Sequence, residues 1–389
     1  MDDTSRAEHS SALARAVTGI LISGFVAVIA PAAAQADTVP TQLAEIRTDV
    51  LAEGLDQPWA VEELPDGGLI VTELAGTIRI YRDGKLSSPL AGVPKVAARG
   101  QGGLLDIALA NDFAVSRTLF LSYAASGPGG AGTAIARARL SDDGRSLTDV
   151  TEIFRMARLT RKGQHFGSRI AVARDGTLFF TIGDRGEGDR AQDTGDHAGA
   201  VLRINPDGTV PADNPHPGGG AWLAELWSKG HRNPQGAAID PKTGTLYTVE
   251  HGARGGDEIN MPEAGKNYGW PVISYGRHYA GGEIGVGTAA DGYEQPIHYW
   301  DPSIAPGGMA VYRGAMFPEW DGDLFVAALK FRLLVRLDRD PETGEILGEE
   351  RMLKGDFGRI RDVIVASDGA LLIVTDESDG KLIRISRAG

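Results

Sequence analysis

A histidine and an aspartate flank one strand-like segment of the chain, and together they could move a proton. His165 precedes the segment, in residues 163–169 (GQHFGSR), and Asp184 follows it, in residues 181–186 (TIGDRG). Histidine is the usual general base near neutral pH, and a carboxylate bonded to it fixes the imidazole tautomer. Asp184 also fits another interpretation, because aspartate often caps its own turn through backbone hydrogen bonds. The spacing alone leaves both interpretations open.

Several cations lie at predicted strand ends, one of them beside an amide: Arg232 with Asn233, Lys330, Arg359 and Arg361. Arg359 and Arg361 are alternate residues, so a strand would place them on one face. Two guanidinium groups on one face repel each other unless they are solvated or share an anion. Because guanidinium forks prefer carboxylates and phosphates, convergence of these side chains would predict a polyanionic ligand.

A glycine-rich loop offers oxygen ligands for a metal. Residues 250–258 (EHGARGGDE) combine carboxylates with glycines that let backbone carbonyls approach closely. Mixed oxygen donors in an irregular loop suit Ca²⁺ better than a transition metal. The spacing differs from an EF-hand loop, and an Asp-Glu pair is also common on plain surfaces, so the pattern is a weak metal signal by itself.

One recurring pattern must supply the scaffold for these groups. It consists of a turn with Asp-Gly or a similar pair, then four or five apolar or β-branched residues, then a polar loop. Short apolar runs bounded by turn signals predict buried strands. Recurrence every ~40 to 80 residues is typical of propeller blades with insertions. The copies are residues 65–73, 174–184, 243–250, 320–328 and 367–376, with a weaker copy at 111–123.

The pattern predicts an all-β fold, a six-bladed β-propeller of four-stranded antiparallel sheets. A β-sandwich with coincidental turns is the alternative, but one of this length would need to divide into domains, and no linker-like stretch is present. The longest predicted insertions are residues 186–200 with 210–222, and 254–301. Long loops in a compact fold are usually functional, and in a propeller we expect them at one mouth of the channel.

Composition restricts the partners and the compartment. The 389 residues carry a net charge of −13 and no cysteine, which argues against a nucleic-acid partner and excludes disulfides. Residues 17–30 are apolar and precede an Ala34-x-Ala36 cleavage pattern. We therefore predict a signal peptide over 1–36, a propeller domain over 37–389 and a periplasmic protein without stable membrane insertion. A short membrane anchor is the alternative, although the apolar run is shorter than the ~20 residues that span a bilayer.

The chain resembles the soluble quinoprotein sugar dehydrogenases, the family of soluble glucose dehydrogenase and the bacterial aldose sugar dehydrogenases. The resemblance runs from about Leu51 to the C-terminus, and the order of its motifs is more specific than any one of them. These motifs are residues 100–105, 164–165, 182–184, 230–236, 257–260, 267–271, 329–330 and 359–362. Members of the family are six-bladed propellers that use pyrroloquinoline quinone (PQQ) and Ca²⁺.

The resemblance implies a role for each matching residue. His165 looks like the base that takes the proton of the sugar C1 hydroxyl while hydride passes to PQQ, and Asp184 looks like its orienting carboxylate. Arg232 would contact the quinone oxygens and stabilise charge there. The remaining cofactor residues would be Gln101, Asn233, Lys330, Arg359 and Arg361. The Ca²⁺ ligands would be the carbonyls of Gly252 and Ala253 at PQQ, and Glu258 with the Tyr268 carbonyl at a second site.

Departures from soluble glucose dehydrogenase bring the chain closer to the aldose sugar dehydrogenase branch. Phe166 stands where that enzyme has a small polar residue, and the long insertions that relatives use for dimer contacts are absent. The resemblance therefore implies a small-molecule aldose substrate and a monomer or weak dimer, with the electron acceptor left unspecified. The competing interpretations are a Ca²⁺-dependent six-bladed lactonase, which would give the three cofactor cations no role, and a non-catalytic propeller that binds a glycan or protein.

Overall fold

Strands make up nearly all of the regular structure. The computed structural model describes residues 37–389, and the predicted signal peptide over residues 1–36 lies outside them. Within the described part the helices are short: α1 (Phe113–Ser116) and two 3-10 turns, Gly188–Gln192 and Pro318–Trp320. None of the helices in residues 37–389 has the length and apolar character to span a bilayer. The all-β prediction is confirmed.

The strands are numbered in chain order. The first half contains β1 (Asp37–Pro40), β2 (Glu45–Leu55), β3 (Pro58–Glu63), β4 (Leu69–Glu73), β5 (Thr77–Arg82), β6 (Lys85–Leu86), β7 (Leu104–Leu109), β8 (Thr118–Gly127), β9 (Gly130–Leu140), β10 (Leu147–Arg155), β11 (Ile170–Val172) and β12 (Leu178–Ile182). The second half contains β13 (Ala200–Ile204), β14 (Leu226–Lys229), β15 (Pro234–Ile239), β16 (Leu246–Glu250), β17 (Asp257–Asn260), β18 (His298–Trp300), β19 (Pro306–Val311), β20 (Leu324–Ala328), β21 (Leu333–Arg339), β22 (Ile346–Met352), β23 (Ile360–Val365), β24 (Leu371–Thr375) and β25 (Gly380–Arg387).

These strands form six antiparallel sheets, which are the blades of a propeller. Five sheets hold four consecutive strands each: β3–β6, β7–β10, β11–β14, β15–β18 and β19–β22. The sixth has the order β23, β24, β25, β2, β1, so the N-terminal β2 completes the C-terminal blade and closes the ring. Its register pairs Thr48 with Ile385 and Val50 with Ile383. The six-bladed prediction is confirmed, with β1 as an additional edge strand on one blade.

The recurring sequence pattern corresponds to the second strand of every blade. The six copies contain β4, β8, β12, β16, β20 and β24. In β4, β16, β20 and β24 every residue is buried. Each blade is covered on both faces by its neighbours, so these strands read as continuous apolar runs rather than as alternating ones. Aromatic residues fill the wider spaces between blades; the Trp320 ring, for example, stacks on Phe317 with centroids 3.9 Å apart.

The predicted insertions contact one another. Gln192, after β12, donates from Nε2 to the Trp270 carbonyl oxygen at 2.7 Å, and the Leu223 amide, which precedes β14, donates to the Thr194 carbonyl oxygen at 2.9 Å. The predicted boundaries of the last insertion, 254–301, were too wide. Residues 257–260 and 298–300 are β17 and β18, which pair as the outer strands of their blade, and the loop itself is 261–297.

Blade geometry decides where the candidate residues lie. In an antiparallel blade, the connection before the first strand and the connection after the second strand lie at the same end. Gln101, His165, Arg232, Asn233 and Arg359 precede the first strands of four blades or lie close before them. The others follow second strands or begin the adjoining strands at that end: Asp184, Gly252, Ala253, Glu258, Lys330 and Arg361. The fold therefore presents these residues at one mouth of the propeller.

Candidate active site

The predicted histidine–aspartate pair is formed at this mouth. His165 Nδ1 lies 2.6 Å from Asp184 Oδ1. The same carboxylate accepts hydrogen bonds from the Gly186 amide at 2.6 Å and from the Trp270 indole Nε1 at 2.8 Å. The side chains of His165 and Asp184 are 11% and 2% exposed. The alternative in which Asp184 only caps its turn is thus partly right, since Gly186 is such a contact, but the carboxylate also orients an imidazole.

The partners of Asp184 determine which nitrogen of His165 carries the proton. The amide and the indole can only donate, so the carboxylate is ionised and Nδ1–H donates to it. Burial alone would raise the pKa of Asp184, but the His165 hydrogen bond and the charges of His165 and Arg232 lower it below its usual value. Nε2 makes no hydrogen bond within residues 37–389. In the neutral tautomer its lone pair is therefore available to accept a proton.

The backbone that carries His165 is held in an unusual conformation. His165 has φ of +52°, in the left-handed region that non-glycine residues seldom adopt. The Gln101 side chain holds this conformation, because its Oε1 accepts a hydrogen bond from the His165 amide at 2.7 Å. On the other side, a Cβ on Gly183 would lie 2.4 Å from the His165 carbonyl oxygen, so only glycine fits there. Backbone strain of this kind persists where many surrounding contacts hold a residue in place, and such residues are often found at functional sites.

Arg232 and Asn233 lie beside the pair. The Arg232 guanidinium is buried, donates from Nη1 to the His251 carbonyl oxygen at 3.0 Å, and sits 5.2 Å from the Trp270 ring centroid. Its own amide donates to the Glu250 carboxylate at 2.5 Å. Asn233 Oδ1 accepts the Gly167 amide at 3.1 Å, which ties the His165 segment to this loop. Both residues are therefore placed next to the proposed base.

A cavity of about 220 Å³ adjoins the base segment and collects three of the predicted cofactor residues, Gln101, Arg359 and Arg361. Its other walls include Trp59, Gln235, His251 and Asp376. Gln235 Oε1 accepts from Arg361 Nη1 at 2.8 Å and faces His251 Nε2 at 3.2 Å. Burial, with the charges of Arg232 and Arg361, lowers the pKa of His251 to about 3, so this ring is neutral near pH 7.

Arg359 and Arg361 share an anion that belongs to the protein. Asp376 Oδ2 accepts from Arg361 Nη2 at 2.6 Å and from Arg359 Nη2 at 3.1 Å. Burial would raise the pKa of Asp376, but the two guanidinium groups lower it below its usual value. One carboxylate between two cations leaves a net positive charge, and the buried Arg361 Nε has no hydrogen-bond partner among the described residues. The cavity retains a cationic donor for an anionic ligand.

Lys330 is placed differently from the arginines. It follows Leu329, which lines the cavity, but the Lys330 side chain is exposed, with Nζ 5.2 Å from the Phe331 ring centroid. The structure thus brings Gln101, Arg359 and Arg361 together in one wall and leaves Lys330 at the rim. Its predicted contact with a cofactor carboxylate stays a prediction.

The loop after β16 has the close backbone approach expected of a carbonyl-lined site. A Cβ on Gly252 would lie 2.1 Å from the Gly255 carbonyl oxygen and 2.2 Å from that of Gly256. The Ala253 carbonyl accepts the Arg277 amide at 2.9 Å. Asp257 is engaged elsewhere, because its carboxylate accepts from the Gly252 amide at 2.8 Å and from the Ser303 hydroxyl at 2.7 Å. The donors left for a cation here are carbonyl oxygens, which is the chemistry of a Ca²⁺ site.

Glu258 and Tyr268 are arranged around a second carboxylate, Glu250. Glu258 faces Glu250 across the β16–β17 pairing, and Tyr268 stacks on His231, whose Nδ1 bonds Glu250 at 2.9 Å. Burial and the neighbouring Glu250 charge raise the pKa of Glu258 well above its usual value. The nearby Asn260 Oδ1 is buried without a partner in the described part of the chain. A carboxylate that is costly to ionise, beside an unpaired oxygen, fits a hard cation.

The centre of the channel holds an ion cluster instead of a carboxylate-led metal site. Arg169 lies 2.7 Å from Asp106 and 3.0 Å from Asp362, and its guanidinium packs 4.4 Å from the Trp59 ring centroid. Residues 37–389 contain no group of three or more His, Asp or Glu side chains arranged to hold a metal. The lactonase interpretation needs central carboxylates that are available to a metal, whereas Asp106 and Asp362 are paired with Arg169.

Sequence reasoning missed several residues that complete the site. Trp270, Glu250, His251 and Gln235 were not assigned roles, although each lies in or beside a motif that was recognised. Asp376 was missed because nothing in the sequence around it distinguishes it from a turn aspartate. Its significance depends on two arginines from another segment, 15 and 17 residues away, that bond the same oxygen.

Comparison with known proteins agrees with this geometry. The family profile described as Glucose / Sorbosone dehydrogenase matches residues 55–384. The aldose sugar dehydrogenase YliI of Escherichia coli strain K12 is 44% identical over 352 residues, covering 88% of this chain and 93% of that protein. The crystal structure of the soluble aldose sugar dehydrogenase of Escherichia coli in its apo-form superposes with a TM-score of 0.84 at 43% identity, covering 88% of this chain and 100% of that one.

A structure with cofactor is also similar. The PQQ-bound form of an aldose sugar dehydrogenase from Streptomyces coelicolor superposes with a TM-score of 0.73 at 28% identity, covering 88% of this chain and 98% of that one. The resemblance inferred from the motifs is thereby confirmed over the propeller. The chain belongs to the glucose/sorbosone dehydrogenase family.

Proposed function

We propose that the protein is a PQQ-dependent aldose sugar dehydrogenase that oxidises the C1 hydroxyl of aldoses to lactones. The observation that carries the proposal is the His165–Asp184 pair beside the cationic cavity of Gln101, Arg359 and Arg361. Quinoprotein relatives and a PQQ-bound structural neighbour support the choice of cofactor. A base and an anion-binding cavity at one mouth are what a tricarboxylate quinone and a hydroxyl substrate require.

The cofactor would be held by cations and amides of this chain. Arg361 and Arg359 would pair with carboxylates of PQQ, with the unpartnered Arg361 Nε directed to one of them, and Lys330 would approach from the rim. Gln101 would bond both the cofactor and the His165 amide, which would couple cofactor placement to base placement. Arg232 and the free amide group of Asn233 would face the quinone oxygens, where a guanidinium stabilises negative charge. When bound, PQQ supplies the hydride acceptor and Ca²⁺ polarises it as a Lewis acid.

The protein's own part in the chemistry is proton transfer and orientation. His165 Nε2 takes the C1 hydroxyl proton while hydride leaves C1, so the imidazole becomes charged. Asp184, ionised and 2.6 Å from Nδ1, stabilises that imidazolium, and Trp270 holds the carboxylate from the other side. A positioned base of this kind contributes ~10²–10⁴ in rate. Gly252 and Ala253 carbonyls would ligate the catalytic Ca²⁺, and Glu258 with the Tyr268 carbonyl a structural one.

The experiment is a titration of apo-protein with PQQ in Ca²⁺, followed by dye reduction with a panel of neutral aldoses. Stoichiometric PQQ binding with sugar-dependent dye reduction and lactone formation is the expected result. Binding of PQQ without oxidation of any aldose would contradict the reaction, and failure to bind PQQ would contradict the cofactor. A non-catalytic glycan-binding propeller would bind sugars without either response.

We also propose that the mature chain acts in the periplasm. The support is the apolar run and the Ala34-x-Ala36 pattern of the sequence, which precede the first strand at Asp37. N-terminal sequencing of the protein recovered from a periplasmic fraction would test it. A mature N-terminus near Asp37 is expected, and an uncleaved chain confined to the cytoplasm would contradict the proposal.

A further inference from the structure

A second cleft lies on the other side of the segment that carries the base. It has a volume of about 220 Å³, and its lining includes Arg99, Arg161 and Lys162 together with Gly163 and the Phe166 ring. No aspartate or glutamate lines it. Three cations around an uncharged floor are unexpected on a protein with a net charge of −13. Such a cluster creates a local positive field against the charge of the whole molecule.

Two of these cations are unused by the protein. The Arg99 and Arg161 side chains are exposed and make no hydrogen bond or ion pair with any part of residues 37–389. Lys162 is only partly compensated, since Nζ donates to the Gly186 carbonyl oxygen at 2.8 Å and lies 3.5 Å from Glu187. The cleft thus retains two free guanidinium forks, which recognise carboxylates and phosphates.

A buried arginine lies directly behind the wall of the cleft. The Arg185 guanidinium sits 3.4 Å from the Phe166 ring centroid and donates to the carbonyl oxygens of Lys162 at 2.9 Å and Ala131 at 3.5 Å, all lining residues. Arg185 is fully buried, forms no ion pair within the described chain, and leaves Nε without a partner. A buried cation without an ion pair is costly, and only the more distant negative charges of Asp184 and Glu187 act on this one.

The cleft shares a wall with the cofactor cavity. Gly163 and Phe166 line the cleft on either side of His165, and the neighbouring Gly100 and Gln101 line the cofactor cavity. The two walls are joined, because the Gln101 amide bonds the Gly163 carbonyl oxygen at 2.7 Å. The cleft and the cofactor cavity therefore lie on the two sides of the short segment that carries His165.

We infer that this cleft binds an anionic substituent, a carboxylate or a phosphate, of the aldose that is oxidised at His165. The inference rests on the proposed function and names a substrate class for it: acidic sugars such as uronic acids or sugar phosphates. Arg99 and Arg161 bind the anion directly, and Arg185 contributes through the wall.

The test compares neutral and acidic aldoses as substrates of the holoenzyme with a neutral dye as acceptor. We would measure kcat/KM for D-glucose, D-glucuronate and D-glucose 6-phosphate in the wild type and in the double variant Arg99→Ala, Arg161→Ala. The expected result is that the ratio of acidic to neutral kcat/KM falls about tenfold in the variant, through KM and not kcat. Both side chains are exposed, so the fold is not at risk.

The control is Lys354→Ala, which removes an exposed cation from the same end of the propeller without touching the cleft. There the ratio should stay within about twofold of the wild type. An unchanged ratio in the double variant, with glucose still oxidised, would overturn the inference alone. If the double variant instead raises only the KM for an anionic dye, the cleft binds the electron acceptor, and that result would also overturn the inference. A wild type that oxidises no aldose would overturn the proposed function and this inference with it.

Discussion

The Asp184→Asn substitution tests how the base is oriented. Asp184 accepts three hydrogen bonds, from His165 Nδ1, the Gly186 amide and the Trp270 indole, at 2.6, 2.6 and 2.8 Å. All three partners are donors. Asparagine has one oxygen and one NH₂ group, so at least one of these donors must face NH₂. The substitution preserves shape while it removes both the charge and the complementarity.

The expected magnitude follows from these contacts. A charge-assisted hydrogen bond to the developing imidazolium is worth about 1.5–3 kcal/mol. At 1.36 kcal/mol per decade this corresponds to roughly 10- to 150-fold in rate. If the NH₂ group turns toward Nδ1, the ring proton moves to Nε2 and the base is lost, which would approach the full ~10²–10⁴ of a general base. We therefore expect kcat to fall by about 10², with a further ~1–3 kcal/mol lost from stability for the unpaired buried donor.

The assay is steady-state aldose oxidation with PQQ and Ca²⁺, together with acid unfolding. Because the folded-state pKa of Asp184 is depressed, its contribution to stability is present above the unfolded value of 3.8 and is lost as pH falls through the lower folded value. Asp184→Asn should remove that part of the acid transition while PQQ affinity is retained. Asp189→Asn, an exposed aspartate of the same connection, is the matched control. Turnover of Asp184→Asn equal to that of the control would refute the orienting role.

The remaining predictions concern the cofactor cavity, the second Ca²⁺ site and the channel. Arg361→Ala should weaken PQQ binding by about 1.5–3 kcal/mol in an equilibrium titration, the loss of one charge-assisted bond; unchanged affinity would place Arg361 outside the cofactor site. In Glu258→Gln the part of the Ca²⁺-dependent stabilisation that comes from the second site, about 2.7 kcal/mol at 100 Kd, should disappear, so that Ca²⁺ raises Tm less than in the wild type; a rise in Tm equal to that of the wild type would contradict Ca²⁺ ligation by Glu258. The pKa of Glu62 is raised to about 8, mainly by burial and further by the charges of Asp106 and Asp362. The contribution of Glu62 to stability is therefore complete below pH 4.5 and is lost as pH rises toward 8. The Glu62→Gln variant should accordingly show a flatter decline of Tm between about pH 5 and 8. An unaltered slope would exclude Glu62 as the cause of that decline.

The fold was predictable because one local signal recurs in every blade. Runs such as residues 69–73 and 371–375 are buried at every position, and a turn signal precedes each of them. The signal is local, so a single sequence suffices to find it. The ring closure through β2 and the extra edge strand β1 were not predicted, because pairing between the two ends of the chain leaves no mark in either end alone.

The site was predictable only where reactive side chains lie within a short motif whose place in the blade is known. His165 precedes β11 and Asp184 follows β12, so the antiparallel pairing of these two strands brings the side chains together. Gln235 and the cation cleft escaped, because their meaning arises from contacts between different blades. Asp376 meets Arg359 and Arg361 within one blade, but the sequence does not show that the three side chains converge. The two guanidinium groups on one face were expected either to be solvated or to share an anion, and the protein itself supplies an anion in Asp376.

The most direct test of the account is anaerobic single-turnover reduction of the PQQ-loaded protein by an aldose, followed by absorbance, in the wild type and in His165→Ala. The account predicts that both proteins bind PQQ with the same stoichiometry, that the wild type loses the absorbance of the oxidised cofactor on addition of sugar, and that the variant does so ~10²–10⁴ times more slowly. Equal rates in the two proteins would contradict the assignment of His165 as the base. No change in the wild type would contradict the proposed reaction itself.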